Sequence, residues 1–495
     1  TGKMHDDLPY IDYHMGDVTL GTNRLDIRRA AAAIALLVST CVALAVILQP
    51  SLPVARPVLA TASHPDRVRA LPNAPPLDDA HFAGRLPATA DGSAHLFYWL
   101  VMAKTMDSPL IIWLNGGPGA SSLTGLLFEG IGPLLLQPNG TLIRNAFSWT
   151  RLANVVAFEQ PVGVGYSYSS TSPPSYASSL EEAAEQLVAA LLALYDRHPG
   201  LRTAPLYLTG ESFAGKYLPF TANAITAFND RQSAAAARIP LSGLAIGNGV
   251  LMPLLQYTSI LDFAAAWGFL PEQPNLLQQL RDSLASCEVL LGERRWQEAY
   301  QACQYIEDHV YNGAVPFVYD VREPIDRFSQ ISVFMSEYLS RADVREALHV
   351  GESGPAVWKQ MDGGQLGNDV GDHLGWEGQI SDLPRGMLEG LISRYRLLFY
   401  SGNADGSMCN QLGGQRVLRQ LSGPAAVQRL NEQASRCTWT VGGMPAGVAR
   451  SGSADLAALV VLHAGHLVPM NVPKAALEMV RLLLSGESFE NAFCT

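Results

Sequence analysis

Charge is scarce in this 495-residue chain: Asp, Glu, Lys and Arg make up 16% of it, and the net charge is -11. No stripe or cluster of Lys and Arg runs through it, and a nucleic-acid surface needs one to neutralise phosphates. Nucleic acid is therefore excluded as a partner. Cys and His at metal-ligand spacing are missing, as is a Gly-rich phosphate loop, so neither metal nor cofactor is expected. Cysteine is sparse, with six in all. Cys41 lies in an apolar run, which leaves Cys287, Cys303, Cys409, Cys437 and Cys494. Five is odd, so at least one thiol stays unpaired in the monomer. Cys287 and Cys303 bracket a short helical stretch and are the pair expected to bridge.

Long hydrophobic runs are nearly absent too. The exception is Ala30 to Leu48, 19 residues without a formal charge, long enough to span a bilayer. Lys3, Arg24, Arg28 and Arg29 precede it, whereas only Arg56 and Arg67 soon follow, a bias that places the N-terminus in the cytosol. The organisation expected at this end is a cytosolic tail (1–29), a transmembrane signal-anchor (30–48) and a Pro-rich stalk (49–76). The alternative is a secretory signal cleaved after Ala60-Thr61-Ala62, which would leave the rest secreted. An anchored chain has the membrane as partner through this helix. Its remainder faces an oxidising lumen of the secretory, endolysosomal or vacuolar system, where disulfides persist. There Asn139-Gly140-Thr141 is a usable glycosylation sequon. No feature of the sequence specifies an oligomeric state.

What is present in quantity is apolar material, 48% of the chain, enough for a large core. Leu96 to Val101, Leu110 to Leu114, Val155 to Phe158, Leu206 to Thr209 and Leu241 to Ile246 are short apolar runs bounded by turn residues. Such runs suit strands buried on both faces of a sheet. They alternate with helical spacing, as from Ser179 to Arg197, which predicts an α/β class with a doubly wound, mostly parallel sheet. Between about Pro253 and Leu391 helices and loops replace strands. Strands resume at Tyr395 to Tyr400 and Leu456 to Leu462, and an amphipathic helix closes the chain from Pro473 to Leu484. The expected division is core 77–252, helical insertion or cap 253–391, and core 392–495.

Three of these strands run into residues that carry chemistry. Leu206 to Thr209 leads through Gly210-Glu211-Ser212-Phe213-Ala214-Gly215, a strand, a tight turn and a helix start that would expose a nucleophilic Ser. A Ser hydroxyl needs a base, and the base a carboxylate to orient it. In α/β hydrolases the chain order is Ser, acid, His. After Ser212, the strand Leu397 to Tyr400 runs into Asp405, and Leu459 to Leu462 runs into His466. Asp405 and His466 are thus the expected partners, with His463, nearer the strand, read as a packed neighbour. Trp113-Leu114-Asn115-Gly116-Gly117-Pro118-Gly119 can turn backbone amides toward Ser212. Gly117 and Phe213 N–H are the oxyanion-hole candidates.

From about Leu71 to Cys494 the chain resembles the serine carboxypeptidase family. The resemblance rests on Trp113 to Gly119 with Ser121-Ser122, Glu159 to Ser167, Gly210 to Tyr217, Gly247-Asn248-Gly249, Asp343 to Val350, and Gly465 to Pro469. It implies an α/β-hydrolase fold with a cap, and hydrolysis at peptide or protein C-termini through an acyl-enzyme on Ser212. It also implies that Trp113, Asn115, Glu129 and Glu211 recognise the substrate's free carboxylate. Two adjacent carboxyls cannot both ionise cheaply, so one stays protonated and donates; activity favoured at acidic pH is the expectation. The chain departs from the family at Ala120, where a Cys is usual and a disulfide is therefore expected to be missing, and at Asn403 and Asn471, where acids are usual. A carboxypeptidase-like acyltransferase and a non-catalytic relative remain as alternatives.

Overall fold

Short apolar segments with no polar interruption make the centre of the molecule, because a strand covered on both faces has no side on which to place a charge. The computed structural model describes residues 64–105, 107–172, 174–351, 355–361 and 370–494. The tail 1–29, the anchor 30–48 and stalk residues 49–63 lie outside the described residues. Among the described residues no helix is long and apolar enough to cross a membrane.

In chain order the strands are β1 (Arg67–Val68), β2 (His81–Pro87), β3 (Ala94–Val101), β4 (Leu110–Leu114), β5 (Leu134–Leu136), β6 (Leu142–Arg144), β7 (Asn154–Glu159), β8 (Tyr168–Ser169), β9 (Leu206–Glu211), β10 (Leu241–Gly247), β11 (Arg396–Gly402), β12 (Cys437–Val441), β13 (Met444–Ser453) and β14 (Leu456–Val461). Apart from the small β5–β6 pair, all join one 12-stranded sheet ordered β1-β2-β3-β7-β4-β9-β10-β11-β14-β13-β12, with β8 beside β3. The six central strands from β7 to β14 run parallel. Both flanks are antiparallel. The sheet is therefore mixed, which corrects the mostly parallel expectation. The flanking β12–β13 hairpin mixes buried and open residues and carries a weaker apolar signal than the central runs, whereas β2 and β3 are buried along most of their length.

Alternate residues of each central strand feed opposite layers. Leu110, Ile112 and Leu114 pack with Leu206 and Leu208 beneath α1 (Leu180–Arg197) and α2 (Ala214–Asp230). Ile111, Trp113 and Tyr207 enter the layer on the other face. Each large side chain so withdrawn from water contributes about 2 kcal/mol. Ser179 starts α1 by accepting the Glu182 N–H on its hydroxyl at 3.2 Å, satisfying one orphan donor of the first turn.

The expected stalk covers residues 64–76, but β1 pairs with β2, and Val68 and Leu71 are buried in the second layer. Isolated apolar residues among prolines give no periodic signal, so composition outweighed them. Between β10 and β11 the described chain forms no strand. Its helices α3 (Pro253–Trp267), α4 (Pro274–Gly292) and α5 (Trp296–His309) enclose a third apolar cluster. The expected Cys287–Cys303 disulfide ties α4 to α5, and a second bridge, Cys437–Cys494, ties β12 to the C-terminal segment. Cys409 is free and buried.

Candidate active site

Ser212, Asp405 and His466 each follow the carboxyl end of a central strand, where a parallel sheet opens its crevice. Ser212 follows β9 in the turn that leads into α2. Its φ of 63° lies in the left-handed region, which an L-residue adopts at a cost of about 1–2 kcal/mol. The surrounding turn holds it there: its N–H donates to the Gly247 and Asn248 carbonyls at 3.0 and 3.2 Å, and its C=O accepts from Val250 at 2.9 Å. Gly210 is obligatory at this bend, because a Cβ would lie 2.3 Å from the Leu114 carbonyl oxygen.

His466 follows β14 and is 4% exposed, whereas Asp405 after β11 is fully buried. His466 Nδ1 lies 2.7 Å from Asp405 Oδ2. With Nδ1 donating to the carboxylate, Nε2 is left as the basic nitrogen. Asp405 Oδ2 also accepts from Asn248 Nδ2 at 2.7 Å, and Oδ1 accepts from the Ser407 N–H and hydroxyl at 3.0 and 2.7 Å. Asn248 thus connects the Ser212 turn, through its backbone, to the acid. Tyr319 packs on the His466 ring at 4.6 Å, and its carbonyl accepts the His466 N–H at 2.6 Å. At the two positions where acids are usual, the Asn471 amide oxygen accepts from Gly465 at 2.8 Å and that of Asn403 from Ala464 at 3.4 Å. A neutral amide therefore still holds the His466 loop. His463 is exposed in a left-handed turn, not the packed neighbour expected; the bend after β14 throws it outward.

The loop after β4 presses against the Ser212 turn. A Cβ on Gly116 would lie 2.3 Å from Phe213 N and 2.7 Å from Ser212 Cβ, so only glycine allows that approach. Gly117, Ser212 and Phe213 line one cavity of about 220 Å³ together with Tyr319 and the half-buried Glu307. Neither the Gly117 nor the Phe213 amide donates a hydrogen bond among the described residues. Ala120 stands where a disulfide was expected to be missing. Its segment is held by backbone pairing instead: Ala120 bridges to Met361, and Ser121 N–H donates to the Gln360 carbonyl at 2.8 Å. Buried Glu159 adds to that hold, accepting from Ser121 Oγ at 2.5 Å, Tyr166 N at 2.6 Å and Trp358 Nε1 at 2.7 Å.

Beside Ser212 sits a carboxyl pair. Asn115 Nδ2 donates to Glu129 Oε1 at 2.8 Å and to Glu211 Oε1 at 3.3 Å. Trp113 Nε1 and the Gly125 N–H donate to Asn115 Oδ1 at 2.9 and 3.1 Å, which fixes the amide's orientation. Trp113 therefore acts through Asn115. The remaining oxygens, Glu129 Oε2 and Glu211 Oε2, are buried without a partner. Burial pushes Glu129 up to about 7, opposed by hydrogen bonds from Asn115 and Glu211. Glu211 is held well above the carboxylate range, first by burial and then by the negative charge of Glu129 and Asp405. The pair is thus a proton-bearing donor site in mildly acidic solution.

Asn248, Glu307, Tyr319 and Lys216 carry no role in the sequence reading. Lys216 Nζ, buried, donates to the Gly378, Gln379 and Ser381 carbonyls at 2.9, 2.9 and 2.7 Å. It thereby straps α6 (Gly375–Ile380) to α2, the helix that follows the Ser212 turn. Gly247-Asn248-Gly249 at the end of β10 was a visible signal for Asn248. Residues 307 and 319 meet the site only through folding. Asn139 is exposed on the β5–β6 turn, with its Oδ1 accepting from Thr141 Oγ1 at 2.7 Å.

A model of the family described as serine carboxypeptidase matches residues 72–486. A serine carboxypeptidase-like protein of Oryza sativa subsp. japonica is 32% identical over 83% of this chain and 94% of the relative. A venom serine carboxypeptidase of Apis mellifera is 30% identical over 82% and 85%. The pheromone-processing carboxypeptidase kex1 of Aspergillus clavatus is 31% identical over 83% and 69%. Among solved structures, the prohormone-processing carboxypeptidase Kex1(delta)p of Saccharomyces cerevisiae superposes with a TM-score of 0.70 at 24% identity, over 82% of this chain and 91% of that one. That likeness speaks for the fold.

Proposed function

The chain belongs to the serine carboxypeptidase family and is a serine-type exopeptidase, and on that premise we propose which residues carry the reaction. Ser212 Oγ attacks the carbonyl of the last peptide bond while His466 Nε2 takes its proton. Asp405 holds Nδ1–H and stabilises the imidazolium. The Gly117 and Phe213 amides receive the oxyanion, in keeping with their lack of any other acceptor. His466 then hands its proton to the leaving amine, and water hydrolyses the acyl-enzyme by the same steps in reverse.

One observation carries the exopeptidase geometry. Glu211, half of the carboxyl-binding pair, immediately precedes Ser212, so the anchor for the substrate's terminal carboxylate sits one residue from the nucleophile. Protonated Glu129 and Glu211 donate to that carboxylate through their unpartnered Oε2 atoms, with Asn115 as a further donor and Trp113 holding it in place. A longer overhang beyond the scissile bond would have no room to reach this pair. The cavity at Ser212 lacks the four anchor residues among its lining; it accommodates the residue that acylates Ser212.

The finer placement of the protein is also our reading: residues 30–48 tether it, the catalytic domain lies lumenally, Asn139 is glycosylated, and 253–391 form the cap. The test is hydrolysis of a blocked dipeptide beside its amide, with Ser212→Ala as control. A strong preference for the free acid, lost with Ser212, is expected. Equal cleavage of the amide, or release of internal fragments from longer peptides, would overturn the assignment.

A further inference from the structure

A second cavity, of about 200 Å³, lies under α7 (Gln411–Gln420), against the ends of β10 and β11 and the face of β13 and β14. It shares no lining residue with the cavity at Ser212. Much of its wall is apolar, including Leu251, Phe399, Leu418 and Val460, and its charged lining consists of Arg436 and Arg450. No acidic side chain lines it. Arg419 stands near enough to act on Arg450, and none of the three arginines makes an ion pair among the described residues.

Arg450 is the telling residue. Its Nη1 donates to the Leu430 carbonyl at 3.3 Å, whereas Nη2 is shut off from solvent without an acceptor. A buried donor of a charged group left unmade is costly, and native proteins seldom leave one so. Burial and then the like charges of Arg436 and Arg419 press against its protonated form. An anion in the cavity would relieve the electrostatic cost. The guanidinium fork matches a carboxylate, and the apolar wall behind it excludes a bare inorganic ion as the best fit.

We propose that this cavity is a binding site for a small amphiphilic carboxylate, its head group on Arg450 and Arg436 and its hydrocarbon chain against Leu251, Phe399, Leu418 and Val460. The volume equals that of roughly seven liquid waters, room for a chain of about six to eight carbons. A free amino acid, the product of an exopeptidase, carries an ammonium that would meet the Arg436 and Arg450 guanidiniums and no carboxylate, so the site discriminates against it. The β11 strand and α7 that border the cavity are also the two ends of the segment bearing Asp405, which places the ligand beside the catalytic loops without touching the catalytic groups.

Calorimetric titration of the intact chain with octanoate tests the proposal, beside octan-1-ol, acetate and leucine, and with Arg450→Met and Arg436→Gln. Hydrolysis of a free-acid peptide by both variants checks that they fold. One octanoate per chain is expected, weakened about tenfold or more by loss of either the ligand's charge or the Arg450 guanidinium, with Arg436→Gln weakening it less and acetate and leucine failing to compete. No octanoate binding to the wild-type chain would overturn the site. So would octanol or leucine binding as tightly as octanoate, or unchanged affinity in both folded variants.

Discussion

Replacing Glu129 by Gln should remove the pH dependence of substrate binding while leaving binding itself in place. Glu129 Oε1 accepts from Asn115, and Oε2 is buried without a partner, so Oε2 is the atom free to meet a substrate carboxylate. Burial raises this carboxyl to about 7. Below that pH, Oε2–H donates to the substrate. Above it, two carboxylates face each other, and at about 4 Å with an effective dielectric near 20 they repel by about 4 kcal/mol. The ionised form is then incompetent, so KM should rise about tenfold per pH unit above 7 as the competent fraction falls. Glu211, held higher still, keeps its proton through this limb. In Glu129→Gln the amide oxygen replaces Oε1 on Asn115, and the amide nitrogen stands permanently as donor where Oε2 was. The assay is KM for a blocked dipeptide with a free carboxyl end, measured in steps from mildly acid to alkaline pH. Its weakly cleaved amide serves as a control that needs no carboxyl anchor. The wild type should show an alkaline limb centred near 7 and Glu129→Gln a flat profile. A flat wild-type profile, or a variant that keeps the limb, would refute the reasoning.

Two further substitutions probe positioning residues. Asn248→Leu keeps the four-atom branched shape of the side chain but removes the donor to Asp405 Oδ2 and the acceptor that receives the Gly402 N–H at 3.1 Å. A hydrogen bond to a buried carboxylate is worth about 1.5–3 kcal/mol, so kcat should fall at least about tenfold with KM little changed; a variant with wild-type kcat would show that Asp405 is oriented without it. Lys216→Met strips three carbonyls of their donor. It should lower stability by about 3 kcal/mol and raise KM more than it lowers kcat, because Gln379 and Ile380 on that strap line the cavity at Ser212. An unchanged urea midpoint would exclude the strap as a stabilising element.

The central strands were readable because each is apolar from end to end. Leu110–Leu114 admits no other place in a soluble α/β fold. The residues that follow such strands were readable for the same reason: Ser212, Asp405 and His466 each come directly after a buried run, in the chain order the chemistry needs. The motif around Gly116 announced a close approach, and the structure presses that glycine against Phe213. The β12–β13 hairpin was missed because its residues are half exposed, so its apolar signal is diluted. The stalk boundary was missed because two buried side chains among prolines make no period.

Local sequence, then, determined the buried strands, the tight turn at Ser212 and which residues are candidates for the reaction, since these depend on residue type within a few positions. It was long-range packing that decided the rest. Whether Glu129 and Glu211 hold protons depends on burial by segments 82 residues apart. Asn248 became the link between nucleophile turn and acid only when β10 was set between β9 and β11. The three arginines near the second cavity are scattered along α7 and β13 and the loop before β12, and no spacing in the chain reveals that they converge without a carboxylate. Proximity across a sheet is created by folding, and a one-dimensional pattern carries no distance beyond its own period.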